Sequence, residues 1–187
     1  AVCKCVQQAL GADSEGTAAV LVRSRAHLQA IVPRLRKAGL RFSAVEIDSL
    51  ADRAVIRDLL ALTRALNHPA DRIAWLAVLR APWCGLTLAD LHAIAGQDFN
   101  APVWQLMHDP ERLAALSEDG RKRLLRTRPV LDAAMACTGR QSLRQRVEGA
   151  WRAIGGPAAL ANPAQLVDVP VYLDYLEARS GSGLLAD

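Results

Sequence analysis

The chain has 187 residues, 51% of them apolar, enough for one domain with a substantial core or for one and a half. Aromatics are only 4%, and Ala, Leu, Val and Ile supply the bulk, a mixture that favours helices over sheets. The net charge is +4 with a pI near 9.2; no apolar run approaches the ~18 residues that span a bilayer, and no charged segment followed by an apolar one opens the chain. A cytoplasmic protein with no membrane partner and no signal peptide is expected. There is no initiator Met, and the end, Leu184-Leu185-Ala186-Asp187, follows a Ser180-Gly181-Ser182-Gly183 stretch, which reads as a piece of a longer polypeptide.

In chain order, residues 2–10 suit a short helix ending near Gly11. Ala18-Ala19-Val20-Leu21-Val22 is a continuous apolar run between turn-prone segments, as in a strand buried on both faces. Leu28, Ile31, Val32 and Leu35 then recur at helical spacing, with Ser24 a suitable N-cap and Gly39 a suitable stop. A second strand is expected from Phe42 to Ile47. Strand, helix and strand make one βαβ unit with parallel strands, too small to be stable alone. From Asp52 the pattern is helical almost throughout. Ile56, Leu59, Leu60, Thr63 and Leu66 line a helix ending before Asn67-His68-Pro69, and another runs from about Asp71 to before Pro82. Shorter helices are expected at 87–95 and 102–107. A longer one starts near Ser117-Glu118, kinked or restarted at Pro129, and two more cover about 141–153 and 163–178.

The absences narrow the chemistry. There is no glycine loop with Lys and Ser or Thr to cradle a nucleotide's phosphates, no acid pair for magnesium and no Asp with Glu-x-Lys of a nuclease. His27, His68, His92 and His108 are scattered. Cys3 and Cys5 form a lone C-x-C pair without a partner pair at zinc spacing, so no metal site is expected and the thiols read as reduced. Nothing assembles a self-sufficient active site.

Charge is unevenly distributed. Residues 112–152 hold ten basic side chains against Glu118, Asp119, Asp132 and Glu148, and the last 35 residues are net acidic. The densest cluster, Arg121, Lys122, Arg123, Arg126 and Arg128, reads either as a track for a phosphate backbone or as a solvated helix face packing through Leu124 and Leu125. Trp75, Trp83, Trp104 and Trp151 lie in or beside apolar helical runs, which favours core packing over base stacking.

Three phrases in order resemble the second motor domain of superfamily 1 DNA helicases of the UvrD/Rep/RecB type. The first is Ala19 to Arg25 (A-V-L-V-R-S-R), followed by a helix and Ala38-Gly39-Leu40-Arg41-Phe42. The second is Asp52 to Leu60 (D-R-A-V-I-R-D-L-L), like the family's E-R-x-E-I-K-D-x-L. The third is Asn67-His68-Pro69-Ala70-Asp71 with Leu79 to Leu86 (L-R-A-P-W-C-G-L), like N-P-x-D followed by N-x-P-x-R-G-I-G. Val55 stands where the family usually has Glu and Cys84 where many members have Arg, and the glycine motif is shortened, divergences that point towards RecB-like or related repair nucleases.

The resemblance implies a mainly α chain: residues 1–48 a βαβ piece of a RecA-like motor sheet, residues 49–187 a helical 2B-like insertion. It implies that Arg23 is the phosphate-sensing arginine, reaching the γ-phosphate of ATP held by the other motor domain, and that Gly85 lies in a turn approaching duplex DNA. ATP and magnesium would belong to the longer parent; DNA, the remaining motor domains and a nuclease subunit are the implied partners. A non-enzymatic helical adaptor, and an inactive helicase-like subunit of a nuclease complex, stay open as alternatives.

Overall fold

The structure, a computed structural model, describes residues 2–12, 16–24, 26–40, 50–160 and 162–180. Residues 1–49 and 50–187 form two compact units.

In the first unit, α1 (Val2–Ala12) contacts α2 (Ala26–Lys37). Leu28 and Leu35, one turn-pair apart on α2, are buried. Gly39 ends α2 with φ +70°: its amide donates to the Arg36 carbonyl, and the Leu40 amide reaches back to Leu35, closing carbonyls the helix leaves open.

Here the expected RecA-like βαβ piece is overturned. The described residues contain no strand, and residues 16–22 have no regular structure. Leu21 is 94% exposed, the reverse of a strand buried on both faces. The second expected strand, 42–47, lies outside the described residues. An apolar pentapeptide becomes a strand only when a neighbour completes its hydrogen-bond ladder, and the described residues offer none. The mainly α expectation stands.

The second unit is a helical assembly built around α3 (Ala54–Asn67), which contacts α4 (Arg72–Arg80), α9 (Leu143–Ala153) and α10 (Asp168–Ser180). Val55, Ile56, Leu59, Leu62 and Leu66 bury the face of α3 that the 3.6-residue period marks out. Around it lie α5 (Leu88–Ala95), α6 (Val103–Leu106), α7 (Pro110–Ala114) and α8 (Glu118–Ala136). Only α7 had no counterpart in the periodic pattern, because its five residues are too short to show one. Trp75, Trp83 and Trp151 are buried in this core, and Trp104 packs against its edge with its ring 4.8 Å from Trp75.

Polar contacts set the helix ends. Asp71, Thr87, Ser117 and Ser142 cap α4, α5, α8 and α9 through side-chain oxygens, and Thr87 with Asp90 and Ser142 with Gln145 close reciprocal boxes. The Arg53 guanidinium pairs with Asp168, and the Thr63 and Tyr172 hydroxyls meet at 2.7 Å, joining α3 to α10. α8 runs through Pro129 as one helix rather than restarting. Proline forfeits the donor to the Leu125 carbonyl, and Leu125 sits on the exposed side of the helix.

Candidate nucleic-acid interface

The turn after α4 carries the glycine motif. Gly85 has φ +66°, a left-handed conformation natural to glycine. Its amide donates to the Ala81 carbonyl at 2.7 Å, the Cys84 amide to the same oxygen at 2.9 Å, and the Leu86 amide to Leu79 at 3.0 Å. The Thr87 amide donates to Asp90. The amides from Cys84 to Thr87 are thus all engaged within the protein, so a phosphate meeting this turn would be held by side chains.

Those side chains come from α8. A Cβ at position 85 would lie 2.8 Å from the Arg123 Nη1, so glycine lets that guanidinium rest against the turn. Arg126 donates from Nη2 to the Trp83 carbonyl at 3.0 Å. Beneath them the Cys84 thiol is fully buried; burial pushes its pKa up, with Thr127 of α8 as its hydrogen-bonding neighbour. The turn is therefore docked onto α8 from both sides, with two arginines at its surface.

Asp90 locks this arrangement. Its carboxylate, 2% exposed, accepts from the Thr87 amide at 3.1 Å, the Thr87 hydroxyl at 2.6 Å and the Ser117 amide at 2.9 Å, tying the first turn of α5 to that of α8. Burial pushes its pKa up, but the hydrogen bonds from Thr87 and Ser117 outweigh burial and hold it below the usual carboxylate value. A Cβ on Gly120 would lie 2.7 Å from that carboxyl, so only glycine admits so close an approach.

The basic cluster divides. At about 100° per residue, Arg121 and Arg128 share one flank of α8, roughly 140–160° around the helix from Arg123 and Arg126, with Lys122 facing outward between the flanks. Lys122 pairs with Glu118 and Arg123 with Asp119, each at 2.6 Å. Arg121, Arg126 and Arg128 have no acidic partner among the described residues. The wider basic stretch is less charged in effect than the count suggests: Arg112 meets Asp98 and Asp109, Arg144 meets Asp174, and Arg152 meets Glu148. Arg146 is buried, donating to the Leu66 carbonyl at the end of α3 and to Thr138. A window count over 112–152 misses Asp98, Asp109 and Asp174 because the fold delivers them from outside it.

Residues 2–113 match the family model of the UvrD-like helicase C-terminal domain. This chain belongs to that family. Over 77 residues, 41% of this chain, it is also 34% identical to the ATP-dependent DNA helicase PcrA of Bacillus subtilis (strain 168), of which the stretch covers 10%. The chain thus matches about a tenth of that relative's length. The UvrD-like match takes in Arg23 and Gly85 but ends before α8, so Arg121, Lys122, Arg123, Arg126 and Arg128 lie beyond it.

Arg23 of the UvrD-like region lies at a bend between the irregular residues 16–22 and α2, with its side chain exposed. The next turn is held by the His27 amide donating to the Ser24 carbonyl at 3.1 Å. Arg25 lies outside the described residues. Three residues that organise the candidate interface carried no sequence signal of that role: Trp83, through its carbonyl, Asp90 and Thr127. Asp90 alone could have been suspected, as the fourth residue of Thr87-Leu88-Ala89-Asp90, a capping-box spacing.

Proposed function

We propose that this chain is part of an ATP-dependent DNA helicase or helicase-nuclease acting in DNA repair or recombination. In this reading residues 49–187 are a 2B-like arm that grips DNA backbone, and residues 1–48 carry Arg23 as a sensor of the ATP γ-phosphate. The observation that carries the reading is the convergence of Gly85 with Arg123 and Arg126. A turn resembling the family's glycine motif and a basic helix lying beyond the family match meet in one patch, where Arg126 has no acidic partner among the described residues and Arg123 is shared with Asp119. Guanidinium groups fork onto phosphate oxygens and fix register without reading sequence. Arg121 and Arg128, on the opposite flank of α8, and Lys122 between the flanks would meet a different stretch of backbone.

The name of the relative, an ATP-dependent DNA helicase, supports ATP and DNA as ligands of the whole protein. The sequence has no glycine loop with Lys and Ser or Thr to cradle a nucleotide's phosphates. ATP and magnesium are therefore assigned to the motor domains of the parent. Arg23, exposed at a bend within the family match, has the chemistry to stabilise charge on a phosphoryl group there. No helix among the described residues is long and apolar enough to cross a membrane.

The test is binding of the 187-residue chain to forked and duplex DNA by fluorescence anisotropy across a salt series. The reading requires weak binding that falls steeply with salt. Absence of binding at low salt would favour the helical adaptor instead.

A further inference from the structure

On residues distinct from the Gly85 patch, α4 and α5 leave an open groove of about 650 Å³ lined by Ile73, Leu76, Leu88, Leu91, Ala95 and Phe99. Ile73 is 74% exposed, Leu88 69% and Phe99 77%, so three large apolar side chains meet water around one concavity. Scattered surface leucines need no explanation, but several gathered around one groove mark an interaction surface. The rim is basic: Arg72 and Arg80 belong to the lining beside the His92 imidazole, and no acid does. Arg80 and His92 have no acidic partner among the described residues. Arg72 donates to the Ala95 carbonyl and lies 4.9 Å over the Phe99 ring, while its Nη1 is buried without a hydrogen-bond partner. Asp98 has its pKa lowered first by the amides of Ala101 and Asn100, then by Arg112 and Arg72, and is thus already engaged.

We propose that this groove receives the apolar face of an acidic amphipathic helix from a partner protein. An aliphatic trough takes helix side chains at i, i+3, i+4 and i+7 spacing, and the basic rim selects acidic flanks and steers their approach. A nucleic acid fits the lining poorly. Bases stack on open aromatic faces, whereas this groove is mainly aliphatic and Arg72 already covers a face of its one phenyl ring. A small ligand needs a cleft that encloses most of its surface, and this groove is open to solvent.

The probe is a fluorescein-labelled amphipathic peptide of three to four helical turns, with leucines at those spacings and glutamate flanks. A twin carries lysine flanks, and a single-stranded oligonucleotide serves as competitor. The intact chain binds the glutamate peptide saturably and in preference to its twin. Ile73→Ser or Phe99→Ser, both at exposed positions and checked for unchanged circular dichroism, weakens it about tenfold. Arg80→Glu weakens it about fivefold and improves the lysine peptide. No saturable binding, equal binding of the two peptides, or displacement by the oligonucleotide would overturn the proposal. So would sedimentation showing self-association of the chain that Phe99→Ser abolishes, since the occupant would then be a second copy. The Gly85 patch contributes no residue to the groove, so failure here leaves the DNA reading untouched.

Discussion

Asp90→Ala removes the one buried carboxylate that ties α5 to α8. The side chain accepts three hydrogen bonds, from Thr87 N and Oγ1 and from Ser117 N, and the two amides are left without that acceptor. Hydrogen bonds to a charged group are each worth about 1.5–3 kcal/mol, and neighbours on one carboxylate do not add fully, so a loss of about 3 kcal/mol is expected. For a unit of this size that lowers Tm by roughly 6–12 °C. All four tryptophans lie within residues 50–187, so urea unfolding followed by tryptophan fluorescence reports on this unit alone. The folded carboxyl is held below its ordinary value, so its ionised form is the stabilising one. That contribution is complete above about pH 5, beyond the unfolded value near 3.9, and fades as pH falls through the folded one. The stability gap between parent and variant should therefore be full at pH 7 and shrink below about pH 4. A variant within about 0.5 kcal/mol of the parent at pH 7, or a gap unchanged down to pH 2, would refute the role given to Asp90.

Gly85→Ala forces a Cβ into φ +66° and against Arg123, which is flexible enough to swing away. Unfolding should show a cost of about 1–2 kcal/mol from the backbone alone, and DNA affinity should fall as the guanidinium leaves the turn. Arg146→Ala strips a buried cation from the C-terminal end of α3 and leaves the Leu66 carbonyl without its donor, which should cost about 2–3 kcal/mol in urea without altering DNA binding. Arg23→Ala in the full-length parent should cut steady-state ATP hydrolysis by a factor of a thousand or so while DNA affinity holds, on the order of what an arginine finger supplies; an unchanged rate removes the assignment.

The helices were legible wherever apolar spacing, caps and stops agreed. The period through Ile56, Leu59 and Leu66 located α3, and Gly39 marked the end of α2. The expected strand at 18–22 failed because a short apolar run carries no record of a partner; Leu21 shows that its hydrophobicity finds no burial there. At Pro129 the expected restart did not occur, because α8 continues as one helix through the proline. In the candidate interface, Gly85 and the arginines of α8 could be named from sequence. Their contact could not, since 38 residues separate Gly85 from Arg123 and only the packing of the turn on α8 brings them together. Nor could a string of letters reveal that the turn's amides were already occupied.

In the proposed function the Gly85 turn with Arg123 and Arg126 is a phosphate-binding patch. It is tested most directly by the slope of log affinity for duplex DNA against log salt, measured for the parent chain, Arg123→Ala, Arg126→Ala and the double variant. Each lost phosphate contact should flatten the slope by about 0.9, and the double variant by about twice that. Slopes identical to the parent's in all three variants would place any DNA contact elsewhere on the molecule.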